Sequence, residues 1–272
     1  MLETMRAQGG RISLLSGHLA RLTRSAHPDS ATLARIAEAA SDIARHTATW
    51  PQGARVRLRY GARNGALVWD FAAVPLEAGS AWEQGVALAR CRTPITPAAS
   101  SSPFPPRIAG QSSESRHGLA YQSTPGCKLL HRGVYRRAEA ELERYSELLR
   151  PELFHEGLIL DENGLVVEGL RSNLLVWNCG HWRTPSLREC GVRGVMLNWL
   201  ASQVEISEDA LSIRDIEQAE EVVVCNAVRG VVPVVQLALD DFQGESGGGS
   251  ARELSCGAAT NHLQALVAEA LW

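Results

Sequence analysis

Residues 157–177 read GLILDENGLVVEGLRSNLLVW. Two apolar runs flank Asn163-Gly164, a dipeptide that adopts the positive φ values of a tight hairpin turn at little cost, so the stretch reads as two antiparallel strands. A third strand, 174–177, follows directly. Glu168 ends the second strand, an acidic residue in otherwise apolar company.

Working outward, helices and strands interleave without strict alternation. Residues 17–26 open a helix and 32–45 form a strongly helical run, while 54–60 and 66–74 alternate as two strands joined by a turn at 61–65. Residues 131–149 have helical spacing, 186–200 pass through a glycine-containing turn into a helix, and 221–225 form a short apolar strand. This pattern predicts an α+β fold rather than a doubly wound parallel sheet.

The composition changes once along the chain. From Thr93 to Gly126 proline and serine crowd the sequence (TPITPAASSSPFPPR, then GQSSES), which disfavours helix interiors and central strands and reads as a linker. The expected organisation is a smaller N-terminal α+β domain over 1–92, a linker over 93–126 and a larger C-terminal domain over 127–272. The stretch GESGGGS at 244–250 reads as a flexible loop.

With 272 residues, 45% of them hydrophobic, the chain can bury a large core. A net charge of −3 without a basic run gives no electrostatic footprint for nucleic acid. The six cysteines show neither CxxC spacing nor a compact framework, so no zinc site and no disulfide scaffold are expected, and a reducing cytoplasm fits. No signal peptide or membrane span is evident. Small-molecule chemistry is the expectation.

Lys128 is the only lysine, against twenty-six arginines. A G+C-rich coding sequence replaces lysine by arginine, and one survivor could be chance. Chemistry offers another reason: a desolvated amine can lose its proton and attack a carbonyl to form an imine, which a guanidinium cannot do. Lys128 stands between the linker and a helix, the kind of interdomain location where small-molecule sites form. A pyridoxal phosphate enzyme needs such an amine, together with a carboxylate that keeps the pyridine nitrogen protonated. Glu168 could supply the carboxylate.

Five segments, in this order, resemble the fold-type IV pyridoxal phosphate enzymes, the class IV aminotransferase family: LETMRAQGGRISLLSGHLARLTRSA, GCKLLHR, LILDENGLVVEGLRSNLLVW, TPSLRECGVRGVML and EEVVVCNAVRGVVPV. The resemblance implies a two-domain fold and a homodimer. It makes Lys128 the Schiff-base lysine, pairs Glu168 with the pyridine nitrogen and brings Arg21 to the cofactor phosphate. Further phosphate contacts map to Val195-Met196, after Gly194, and to Asn226-Ala227. Gly194 precedes a helical run, whose first turn offers free N–H groups and the positive end of a dipole.

Within the family, branched-chain aminotransferases carry a tyrosine five residues after the lysine, where this chain has Gly133. The segments resemble aminodeoxychorismate lyase most. That resemblance implies elimination of pyruvate to give 4-aminobenzoate, a folate precursor, with Lys128 as base and Thr4 as a hydroxyl for proton transfer. A branched-chain or D-amino-acid aminotransferase is the alternative, and a degenerate, weakly active or non-catalytic homologue the second. The chain also departs from the family pattern at Leu175, Leu197 and His131. Family members usually carry a further strand ahead of ETMR, so the N-terminal domain is expected to lack part of its strand region. For the substrate-facing arginine, Arg90, Arg92 and Arg107 all stay open.

Overall fold

In the computed structural model, which describes residues 1–97, 122–123, 128, 132–240 and 250–272, the chain opens with β1 (Leu2–Ala7), α1 (Leu15–Ala26), α2 (Ser30–His46), β2 (Ala54–Arg63) and β3 (Ala66–Pro75). These strands form one antiparallel sheet in the order β1-β2-β3. Ala54, Val56, Leu58 and Tyr60 of β2 are buried, together with Met5, Leu22, Ile36 and Ala40 from β1 and the two helices. The intervening residues Arg55, Arg57 and Arg59 therefore share the opposite face, because successive strand side chains alternate. The turn expected at 61–65 is shorter than that. The strands pair through Arg63↔Ala66, leaving only Asn64 (φ 52°) and Gly65 (φ 84°) to reverse the chain. Two consecutive positive φ values suffice for a two-residue hairpin turn.

Next come β4 (Val86–Arg90), β5 (Thr96–Pro97), β6 (Gln122–Ser123), α3 (Gly133–Glu141), β7 (Phe154–Leu160), β8 (Val166–Gly169), β9 (Asn173–Asn178) and β10 (His181–Pro185). The chain continues with α4 (Val195–Gln203), β11 (Ile206–Asp209), α5 (Ile213–Glu217), β12 (Glu221–Asn226), β13 (Gly230–Ala238), β14 (Arg252–Glu253) and α6 (Ala258–Leu271). β5 and β6 pair with each other. The rest of the expected linker, including Arg107, lies outside the described residues, as do Cys127 and His131.

The larger sheet has the order β11-β10-β9-β12-β13-β4-β7-β8, with β14 on β13. β4 precedes residue 92 in the chain yet is hydrogen-bonded between β13 and β7. The connection from β8 to β9 forces this sheet to curl. In a flat sheet those strands would stand five spacings, about 24 Å, apart, whereas the four residue steps from Gly169 to Asn173 reach at most about 14 Å. The turn closes through Gly169 N–H donating to the Ser172 carbonyl at 2.8 Å. A mixed α/β fold with a curled sheet and few helices results.

The helix expected over 131–149 ends at Glu141 and gives way to a single 3₁₀ turn over Leu142–Tyr145. Tertiary packing explains the change: the Tyr145 hydroxyl donates to the Arg90 carbonyl at 2.8 Å, and Leu142, Tyr145 and Leu149 enter the core together. Of 186–200 only the part from Val195 is helical. The loop before it is held by Asn173, whose Nδ2 donates to the Val192 carbonyl at 2.8 Å while its Oδ1 accepts from Gly194 N–H at 2.9 Å.

Candidate active site

The open face of β1 and β2, α1, Lys128, α3, the β8–β9 turn and the start of α4 enclose a cavity of about 460 Å³. Seven residues expected at the site line it: Thr4, Arg21, Lys128, Glu168, Val195, Asn226 and Ala227. These positions span more than two hundred residues of sequence, and the curl of the large sheet against the small one brings them together. Met196 does not line it; its side chain is buried in the core. Helical geometry accounts for the split, since in the first turn of α4 only the backbone of Met196 can face the cavity while its side chain packs inward.

Lys128 is tied to the N-terminal sheet by its carbonyl, which accepts from Leu2 N–H at 2.8 Å. Burial lowers its pKa to about 8, and the Arg21 and Arg132 cations act in the same direction. A substantial fraction of the amine is therefore neutral near pH 7 to 8.

Glu168 is buried at the end of β8, opposite Ile159 of β7. Its Oε1 accepts from the Tyr135 hydroxyl at 2.5 Å and its Oε2 from Val192 N–H at 3.0 Å. Burial raises its pKa to about 7, and these two donors, with Arg132 and Lys128, oppose the rise. Tyr135 went unnoticed in the sequence. It lies seven residues beyond Lys128 in chain order, on α3, and nothing local connects it to a glutamate 33 residues away.

Arg21 reaches the cavity as part of a buried cluster. Glu3 takes Arg21 Nε at 2.9 Å and also Nη2, while Arg21 Nη1 donates to the Arg193 carbonyl at 3.2 Å. His18 Nδ1 lies 2.6 Å from the same carboxylate. Burial alone would raise the pKa of Glu3, but the hydrogen bonds and charges of His18 and Arg21 hold it at about 2. Burial lowers the pKa of His18, helped by Arg21 and Lys128. A carboxylate only accepts, so Nδ1 of a neutral ring carries the proton and Nε2, which has no partner among the described residues, is a bare acceptor. Neither Glu3 nor His18 was singled out from the sequence.

At the start of α4 the first helical bond runs from Asn198 N–H to the Gly194 carbonyl, so the amides before Asn198 point out of the helix end. Gly194 is required there: a Cβ would sit 2.1 Å from Asn173 Oδ1. Facing this helix end, Asn226 Oδ1 accepts from Val228 N–H at 3.0 Å and Arg229 N–H at 2.8 Å, folding 226–229 into a tight turn. Arg21, the open amides at the start of α4 and the 226–229 turn line the same cavity, an arrangement suited to a phosphate.

The arginine expectation is corrected for two of its three candidates. Arg90 and Arg92 do not line the cavity, and Arg107 lies outside the described residues. β4 carries Arg90 into the middle of the large sheet, where its carbonyl takes the Tyr145 hydroxyl, and Arg92 N–H is taken by Glu141. The arginines that do line it include Arg55, Arg57, Arg132, Arg171 and Arg229. The alternation ARVRLRY already contained the signal for the first two.

The departures from the family pattern have structural roles. Leu175 and Leu197 are buried in the main core, and Gly133 starts α3. Cys91, Cys179, Cys190, Cys225 and Cys256 are free thiols. Among the described residues no cluster of His, Cys, Asp and Glu is placed to hold a metal, and no helix is long and apolar enough to cross a membrane.

Solved structures share this fold. The 4-amino-4-deoxychorismate lyase of Pseudomonas aeruginosa is 24% identical and superposes with a TM-score of 0.70 over 99% of this chain and 90% of its own. A hypothetical aminotransferase of Mycobacterium tuberculosis, solved in a PLP-bound form, is 19% identical with a TM-score of 0.74 over 100% of this chain and 88% of its own. Among curated proteins, one named as a branched-chain-amino-acid aminotransferase in Methanocaldococcus jannaschii is 28% identical over 87 residues, which is 30% of each chain. The family described as amino-transferase class IV matches residues 1–237. With a match of that extent, the chain belongs to the class IV aminotransferase family.

Proposed function

We propose that this protein is a pyridoxal-phosphate-dependent 4-amino-4-deoxychorismate lyase that releases pyruvate and leaves 4-aminobenzoate. The observation that carries the reading is the meeting of the Lys128 amine, the Glu168 carboxylate and the Thr4 hydroxyl in one cavity with an arginine-bearing wall.

The residues present fit the cofactor. Lys128 offers an amine with a lowered pKa, Glu168 offers a fixed carboxylate, and Arg21 with the amides of Val195, Met196 and Ala227 offers a cradle for a phosphate. When bound, pyridoxal phosphate supplies a ring that takes up the electron pair of a carbanion formed beside nitrogen. Glu168, held by Tyr135 and Val192, keeps a negative charge or a shared proton at the ring nitrogen. Lys128, once its amine is free, removes the proton from the ring C–H beside the substrate nitrogen. The Thr4 hydroxyl, in the same cavity, would relay a proton toward the departing enolpyruvyl group, which leaves as pyruvate as the substrate ring becomes aromatic.

An aminotransferase would use the same Lys128 and Glu168, and the partial match to the branched-chain relative favours that second reading. Incubating the pure protein with aminodeoxychorismate separates the two. Stoichiometric pyruvate and 4-aminobenzoate without any keto-acid acceptor supports the lyase; turnover only when a keto acid is present, with amino-group exchange, rejects it. A protein that stays colourless after incubation with pyridoxal phosphate rejects both.

A further inference from the structure

The N-terminal sheet presents four arginines to one side, and they divide into two kinds. β1 and β2 pair through Arg6↔Arg55 and Thr4↔Arg57, and Arg59 follows two residues further on β2. Arg59 is neutralised by Asp70 of β3, with Nε and Nη2 at 2.7 and 2.8 Å from the two carboxylate oxygens. Arg6 stacks on the Trp272 ring at 4.0 Å and donates to Gln8 and to the carbonyls of Val228 and Gln52. Neither of these two lines the cavity. Arg55 and Arg57 do, and neither makes an ion pair with the described residues.

Their cross-strand neighbours on β3, Val74 and Ala72, offer no carboxylate. Arg55 Nε is buried without a partner among the described residues. Arg229 enters the same cavity from the 226–229 turn, held by Ser80 Oγ at 3.0 Å. Burial lowers the pKa of Arg55, and the nearby Arg57 and Arg229 cations lower it further. The Glu83 and Glu77 carboxylates act on Arg229, but Arg55 and Arg57 have no such ion pair among the described residues, and gathering guanidinium groups is unfavourable unless an anion completes them.

We propose that Arg55, Arg57 and Arg229 form an anion subsite that takes a carboxylate of the substrate remote from its amine, so that the cavity selects amines bearing two carboxylates. This deepens the reading of the cavity as a substrate site and rests on it. Arg55 and Arg57 stand two residues apart on one strand face, about 7 Å, and each planar fork can hold a carboxylate through paired N–H bonds. Arg57 stands directly across from Thr4, so an anion held there lies beside the hydroxyl. A substrate with one carboxylate and an apolar side chain would leave these cations desolvated and unpaired, which is costly.

The test is calorimetric titration of the cofactor-loaded protein with isophthalate and with benzoate, alongside its visible absorbance. The expected result is isophthalate binding at least roughly tenfold tighter than benzoate, with the difference lost in Arg55→Gln and Arg57→Gln, partly restored in Arg57→Lys and unchanged in Arg59→Gln. Thermal midpoints are recorded for each variant; should Arg57→Gln not fold, Arg57→Lys and Arg55→Gln carry the comparison. Equal binding of the two probes, or folded Arg55→Gln and Arg57→Gln variants that keep the preference, overturns the proposal. If no cofactor absorbance develops but the arginine-dependent preference persists, the pyridoxal phosphate reading falls and the anion subsite stands.

Discussion

The Tyr135 hydroxyl donates to Glu168 Oε1 at 2.5 Å, so α3 and β8 meet at one buried hydrogen bond on the floor of the cavity. Glu168 already has its pKa raised to about 7 by burial, and Tyr135 is the largest influence opposing that rise. Tyr135→Phe removes the donor and leaves Val192 N–H as the remaining hydrogen bond. The pKa of Glu168 then rises further, and its negative charge is lost at a higher pH than in the wild type. A pH titration of cofactor absorbance is expected to shift upward, with cofactor affinity lower by about tenfold at pH 7. An unchanged titration curve would show that the hydroxyl does not tune Glu168.

Lys128, with its pKa lowered to about 8, must be neutral to react. The rate at which the cofactor-free protein captures pyridoxal phosphate is therefore expected to rise with pH and to level off above about 8. Lys128→Ala and Lys128→Arg should both abolish the visible absorbance. Borohydride reduction should label a single side chain, and mass mapping of the label would reveal any other site.

Glu156 is fully buried on β7, with Oε1 accepting from Arg171 N–H at 3.1 Å. Burial raises its pKa from 4.5 to about 7. A carboxyl group raised in the folded state contributes stability that is complete below pH 4.5 and is lost as pH climbs through 7. The loss amounts to about 3 kcal/mol for a shift of this size. Glu156→Gln keeps an acceptor for Arg171 and cannot ionise, so at pH 8 it should melt higher than the wild type. Parallel melting curves at pH 5 and pH 8 would contradict this.

The Glu3 cluster acts in the opposite window. Glu3 is held at about 2 in the fold, below its ordinary 4.5, so its contribution is present above pH 4.5 and lost as pH falls through 2. Glu3→Gln leaves the buried Arg21 guanidinium without its counter-charge, which should cost about 3–5 kcal/mol at pH 7. Denaturant unfolding at pH 7 measures that cost, and a loss below about 1 kcal/mol would show that the cluster is not a stabilising ion pair.

Gly194→Ala places a methyl 2.1 Å from Asn173 Oδ1 and must break the bond that holds the start of α4. Weaker phosphate capture is expected, by about tenfold or more, with a loss of about 1–3 kcal/mol in stability. Inorganic phosphate titration against the variant, and against Gly180→Ala, where a φ of 82° strains the backbone outside the cavity lining, separates the helix-end effect from general damage.

The sequence by itself determined the local elements and the chemically distinctive residues. Asn163-Gly164 marked a hairpin because glycine readily accepts the positive φ that Gly164 adopts, the 54–60 alternation marked a strand because side chains alternate along it, and the lone Lys128 stood out because an amine does what a guanidinium cannot. Only the tertiary structure decided who meets whom. Tyr135 finds Glu168, Glu3 orders Arg21, and Arg55 and Arg57 rather than Arg90 and Arg92 face the cavity, because the β8–β9 turn curls the large sheet while β4 pairs inside it between β13 and β7. The helix expected over 131–149 likewise stopped short where Tyr145 bonded the Arg90 carbonyl. Periodicity reports which face of an element is apolar, but the partner that covers the other face comes from distant parts of the chain.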